Sequence, residues 1–292
     1  MAVIDVHAHL EERMLDVPTM VSKMDELGVD KVVLIPTMND PLPNTPSRLL
    51  TIVRVVMCSP FPAVARKMTD RYYTPEGNLK LSGTVYNIYT DPDNATVAAA
   101  IEKHPDRFLG WIMLNPRSQK ITALDELDRW RTTNGFVGVK LHPYWHRYPI
   151  LDALPIARRC EELGLPILIH LGFADHGDWR VLTSACPKLR LVFAHAGIPH
   201  YQRMWGDIRD NPNLMLDVSS PFLSERLVRR ATKAVGPERV LYGTDAPYGF
   251  HQHDGSYDYR HIKNWVERLP ITAAETERIL GDNVLELLGP RG

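Results

Sequence analysis

The 292-residue chain carries 34 Lys and Arg against 35 Asp and Glu, a formal net charge of −1, with 44% hydrophobic and 24% charged residues. That is the balance of an ordinary globular chain, and the cancelled charge excludes the broad basic field that nucleic acid or an anionic membrane surface needs. Chemistry on a small molecule is the function class left, and neither a nucleic-acid nor a membrane partner is expected.

Cys58, Cys160 and Cys186 are far apart and form no Cys-x-x-Cys pair, so neither a disulfide framework nor a structural zinc knot is expected. No apolar run approaches the roughly 18 residues that a membrane span requires, and Met1 leads straight into a strand without a basic and apolar leader. A cytoplasmic protein is the expectation.

In chain order, short runs of Val, Ile, Leu and Phe predict eight strands: 3–10, 31–36, 109–115, 136–142, 166–171, 191–196, 214–219 and 240–244. Amphipathic stretches lie between them, at 19–27, 123–131, 153–163, 224–235 and 259–268, with Gly or Pro at several of their ends. A spacing of about 25 residues per strand–helix unit is that of a parallel barrel, so the prediction is an α/β fold, a single (β/α)₈ TIM barrel over residues 1–292.

One interval breaks the rhythm. Roughly 70 residues separate the second and third strands, and the stretch at about 38–108 is read as an inserted helical segment. It opens on the proline-rich loop Pro41 to Pro46 and continues as a helix from Ser47 to about Tyr73. Leaving the barrel after a strand, it would sit over the active face as a lid or an oligomer contact, bringing Arg48, Arg54, Arg66, Arg71, Tyr72 and Tyr73 within reach of a bound anion. The segment 272–288 reads as a closing helix.

The chemistry gathers at strand ends. In Ile4-Asp5-Val6-His7-Ala8-His9-Leu10, residues two apart share a face, so His7 and His9 are expected to point together, along with Asp5. His170, His195 and Asp245 each end a later apolar run. Packing does not demand histidine at the same end of several strands, whereas a metal bound at the mouth of a barrel does. Lys140 and His142 stand two apart on the fourth strand and share the interior face. Asp217 ends the seventh strand and could orient a ligating imidazole. His104, His146, His176, His200, His251 and His253 fall at a helix end or in loops.

Several pieces together resemble the amidohydrolase superfamily, in the branch that contains aminocarboxymuconate-semialdehyde decarboxylase and the small amidohydrolase-related proteins. They are Asp5-Val6-His7-Ala8-His9-Leu10, Gly138-Val139-Lys140-Leu141-His142-Pro143, Ile169-His170, Ala194-His195-Ala196-Gly197, Tyr242-Gly243-Thr244-Asp245-Ala246-Pro247 and Ile279-Leu280-Gly281-Asp282-Asn283. The resemblance implies one divalent metal on His7, His9, His170 and Asp245, zinc by expectation, with manganese, cobalt or iron accepted by the same donors. It also implies that His195 handles a proton of the nucleophilic water, with Asp245 able to share that role, and that Lys140 and His142 contact substrate. A second metal on a carbamylated Lys140 is the less favoured variant. Branch members often form dimers, so a homodimer is among the expected states.

Three readings follow. The first is a hydrolase attacking an amide, ester or lactone carbonyl. The second is a non-oxidative decarboxylase built on the same ligands, and the third is a non-catalytic barrel that only binds a ligand.

Overall fold

The computed structural model describes residues 2–43, 47–57 and 62–289, and of 47–49 and 62 only the backbone. Asn44-Thr45-Pro46 of the proline-rich loop, the Arg48 side chain and Cys58 lie outside the described residues.

Eight strands follow one another in space in their chain order, all parallel: β1 (Ile4–Leu10), β2 (Lys31–Pro36), β3 (Phe108–Leu114), β4 (Phe136–Leu141), β5 (Ile167–Ile169), β6 (Leu191–Phe193), β7 (Leu214–Asp217) and β8 (Val240–Leu241). The sheet closes where the chain after β8 meets β1, through Val6 N–H to Tyr242 O at 3.1 Å and Asp245 N–H to His7 O at 2.7 Å. This is the TIM barrel read from the apolar periodicity. The later strands are shorter than the apolar runs that predicted them, because their last residues turn out of the ladder to form the active face.

Two apolar layers hold the barrel. Val6, Val33, Trp111, Leu168, Val192 and Leu241 fill its interior, and the closing segment, helical over Ala273–Glu277 and Asn283–Leu288, adds Val284, Leu287 and Leu288 to the same cluster. Leu34, Ile112, Val139, Ile167 and Leu191 face the helices. Strand alternation supplies both layers, and each burial removes apolar surface from water at roughly 25 cal/mol per Å². Among the described residues no helix is long and apolar enough to cross a membrane.

The interval between β2 and β3 divides in a way its length did not suggest. Its chain leaves and returns side by side, with Asp40 N–H on Asn87 O at 3.0 Å and Tyr89 N–H on Met38 O at 2.8 Å. The excursion closed by this neck contains helices Ser47–Met57 and Pro62–Asp70 and an antiparallel hairpin of Leu79–Leu81 with Thr84–Tyr86. The following helix, Asn94–Lys103, is not part of it: it packs on β2 and β3 as the crossover helix of the barrel. Asn94 fixes it there, accepting from Met113 N–H at 2.8 Å and donating to Met113 O at 3.1 Å. The inserted material is therefore shorter than residues 38–108.

His146 ties this neck to the barrel, its Nε2 lying 3.1 Å from Tyr89 O. Burial pushes its imidazole from the ordinary 6.5 down to about 4, against the opposing pull of that carbonyl. The unfolded chain therefore binds the extra proton between these values. Stability from this group is complete above pH 6.5 and is lost as the pH falls to about 4, amounting to about 3 kcal/mol. Denaturant titrations of the metal-free protein at pH 7 and pH 4.5 should show a drop in unfolding free energy that is smaller by most of this amount in His146→Asn. An equal drop in both proteins would remove His146 from the account.

Candidate metal centre

The site is built from residues that end strands. The β1–β2 pairing advances from Asp5↔Val32 to Ala8↔Leu34, so β1 carries one extra residue between them. Such a bulge reverses the alternation of faces beyond it. His7 and His9 point into the mouth of the barrel, while Asp5 does not share their face. Its carboxylate instead accepts from His7 N–H at 3.0 Å, Thr244 N–H at 3.0 Å, the Thr244 hydroxyl at 2.5 Å and the Tyr259 hydroxyl at 2.8 Å. Asp5 shapes the bulge and sews β1 to the segment after β8. The expectation that it joins the histidines fails because simple alternation does not survive the extra residue.

His7 Nε2 and His9 Nε2 converge on Asp245 Oδ1 at 3.8 and 3.4 Å, and the three ligand atoms lie within 4.8 Å of one another. Gly243 makes room for this approach, since a Cβ there would sit 3.0 Å from His7 Cβ and 3.1 Å from Ser219 Cβ. His195 and Asp245 both take left-handed backbone angles, φ 57° and 60°. Non-glycine residues hold that conformation at a cost, and such positions concentrate at functional sites.

His170 stands apart from this triplet. Its ring lies 4.6 Å from that of His195 and 4.3 Å from that of His142, and its Nε2 is buried with no hydrogen-bond partner, as is His9 Nδ1. Leaving a buried nitrogen unpaired costs about 1–3 kcal/mol, which a bound ion would recover at His170 Nε2, whereas His9 turns its Nε2, not Nδ1, to Asp245. Burial, first among the causes, also lowers the pKa of every histidine considered as a ligand: His7 to about 3, with Lys140 adding to the effect, and His9 and His170 in the same direction. Neutral imidazoles beside a carboxylate are the donors a divalent ion takes, so these residues fit one.

Asp217 organises the layer beneath. Burial opposes its ionisation, but His7, His195 and Ser219 hold it well below the usual carboxylate range. It accepts from His7 Nδ1 at 2.8 Å, His195 N–H at 2.9 Å, Ser219 N–H at 3.0 Å and the Ser219 hydroxyl at 2.5 Å. These contacts assign tautomers. His7 is protonated on Nδ1 and turns the Nε2 lone pair inward. Ser219 gives its one proton to the carboxylate, so at 2.8 Å it accepts from His195 Nδ1–H, and His195 Nε2, 4.0 Å from Asp245 Oδ2, is the nitrogen free to exchange a proton. His142 has the opposite form. Its Nδ1 accepts from Trp145 N–H at 3.1 Å, burial lowers its pKa well below 6.5, and so its Nε2 carries the proton.

Lys140 is fully buried, with its Nζ 3.3 Å from His7 Nε2. Burial lowers its pKa to about 8 against the pull of Asp217 and Asp245. It sits beside the histidine, beneath the cavity, whereas His142 is part of the cavity wall.

That cavity, of about 630 Å³, opens above His9, His170, His195 and Asp245. Trp145, Phe222, Tyr248, Phe250 and Trp265 give it aromatic walls, and His251, His253 and His261 stand at its mouth. The insertion contributes Leu42, Pro43, Leu50 and Arg54, whose Nε donates to Pro221 O at 2.9 Å. Of the other insertion residues singled out in the sequence, Arg66 pairs with Asp70 at 3.4 Å, Arg71 and Tyr72 face solvent, and Tyr73 packs on Tyr144. Ser219 and the aromatic residues after β7 and β8 were not found by sequence reasoning, because a lone aromatic or serine in a loop carries no periodic signal.

The comparisons with known proteins agree with the barrel fold. The family model described as Amidohydrolase matches residues 4–289. Among similar solved structures, a 2,6-dihydroxybenzoate decarboxylase from Rhizobium shares 17% identity over 100% of both chains with a TM-score of 0.63. A dihydroxybenzoic acid decarboxylase from Polaromonas sp. JS666, with bound manganese and the inhibitor 2-nitroresorcinol, shares 17% over 98% of this chain and 96% of that one, with a TM-score of 0.59. A 4-oxalomesaconate hydratase from Rhodopseudomonas palustris shares 18% over 99% and 96%, with a TM-score of 0.60. At these identities the likeness is one of fold. No curated protein sequence matches the chain.

Proposed function

The chain belongs to the amidohydrolase family, and from that premise we propose that it is a metal-dependent hydrolase acting as one domain on an amide, ester or lactone of a small molecule. His7, His9, His170 and Asp245 would hold the ion, zinc or manganese. When bound, such an ion acidifies water and polarises a substrate oxygen.

The observation that carries hydrolysis over other reactions is the proton inventory. His195, held by Ser219 with its proton on Nδ1, offers a lone pair at Nε2 and so takes a proton from the attacking water. Asp245, held to about 2 against its burial by the charge that His195 carries when protonated and by the His9 hydrogen bond, is ionised at neutral pH and can share that proton. His142 Nε2–H, in the wall of the cavity, donates to the substrate oxygen as negative charge develops there. Asp217 keeps both His7 and His195 in these forms.

The decarboxylase names of the similar structures favour a second reading. Loss of carbon dioxide leaves a carbon that must be protonated, and on a neutral His195 the Nε2 has no proton to give. The second reading therefore assigns the proton to His142. The two separate on a panel of amides, esters, lactones and hydroxylated aromatic acids, incubated with zinc- or manganese-loaded protein. Acid release without carbon dioxide is the expected result, and carbon dioxide release would replace hydrolysis by decarboxylation. No turnover, together with no metal uptake, would leave the non-catalytic barrel.

A further inference from the structure

Histidines that bind metals almost always give their second ring nitrogen to a carboxylate, carbonyl or water, which fixes the ring in place. His7 follows this rule through Asp217. His170 does not: its buried, partnerless Nε2 is the nitrogen left for the ion, and among the described residues no hydrogen bond to Nδ1 orients the ring. What it has instead is a stack. Tyr144, on the short helix Pro143–His146 after β4, lies nearly parallel to His170, with ring centroids 5.4 Å apart and an interplanar angle of 11°.

Tyr144 is held in turn by the insertion. Tyr73 meets its ring edge-on at 6.3 Å and 77°. The Arg147 guanidinium covers Tyr73 at 4.3 Å from the ring centroid, and Arg147 pairs with Asp70 at 3.0 Å. Asp70 ends the helix Pro62–Asp70, so an unbroken series of contacts runs from the insertion to the candidate ligand. A parallel face and a cation over a ring are both directional. Arg147 itself has a left-handed backbone, φ 50°, which turns the chain after Tyr144 back toward the insertion.

We propose that Tyr144 is a positioning residue that sets the ring of His170 for the metal in place of a hydrogen bond, and that the insertion, through Tyr73, Arg147 and Asp70, holds Tyr144 in register. The insertion then governs metal retention as well as forming part of the cavity wall. This rests on the reading of His170 as a ligand.

The test uses zinc alone and the full chain, with affinity measured by competition against a chromophoric chelator and folding checked by circular dichroism of each metal-free variant. Tyr144→Ala should weaken zinc binding about 10–100-fold, the range seen when outer partners of a ligating histidine are removed. Tyr144→Phe keeps the ring face and should stay within about threefold of the native protein. Arg147→Gln and Tyr73→Ala lie one step further from the ligand and should fall between, and they decide the matter if Tyr144→Ala does not fold. Native affinity in Tyr144→Ala, Arg147→Gln and Tyr73→Ala, alongside loss in His170→Ala, overturns the stack while leaving the ligand set intact. Native affinity in His170→Ala overturns the ligand assignment itself.

Discussion

Replacing His195 by alanine is expected to lower kcat/KM by roughly 10²–10⁴-fold, the range for removing a general acid or base, while metal content stays near that of the native protein. The separation follows from position. His195 spends its Nδ1 on Ser219, and its Nε2 reaches Asp245 only at 4.0 Å; it belongs to the compact group of His7, His195 and Asp217 in the layer beneath, whereas His7, His9 and Asp245 form the one at the mouth. Elemental analysis and kinetics on the substrate found by the product panel read the two quantities independently. If the metal leaves together with the activity, His195 is a ligand, and the division between ligand and proton acceptor fails.

His9→Ala should produce the complementary result, losing metal and turnover together. His9 is buried with Nε2 turned to Asp245, so alanine removes one of the three donor atoms that meet within 4.8 Å there. The loss of affinity should exceed the 10–100-fold that deletion of an outer partner produces. Native protein prepared without chelator should carry close to one ion per chain, and His9→Ala close to none. A value near two in the native protein would instead draw attention to Lys140, whose pKa near 8 leaves part of the amine neutral at physiological pH. Retention of a full ion by His9→Ala would remove the first strand from the centre altogether.

Much of this was legible from the chain. A strand read from alternation has one end, and parallel strands share it, so polar residues that end apolar runs had to converge on one face of a barrel. That logic located His7, His9, His170, His195, Asp245 and, more loosely, Asp217. It misplaced Asp5, because a bulge is one residue of extra length with no mark in the hydrophobic pattern. It also joined the helix Asn94–Lys103 to the insertion, since a crossover helix and an inserted helix have the same periodicity and differ only in what they pack against.

The barrel, the polar residues at its active face and the family were readable from the chain, because each depends on order and spacing along it. The proton positions and the support of the ligands come from contacts made only in the folded chain. Whether His195 accepts and His142 donates depends on Ser219 and Asp217 in one case and on Trp145 N–H in the other. What holds His170 is a ring reached through Tyr73 and Arg147 from an excursion that begins some 130 residues earlier in the chain. A hydrogen bond or a stacked face is a relation between residues brought together by folding, and spacing along the chain does not encode it.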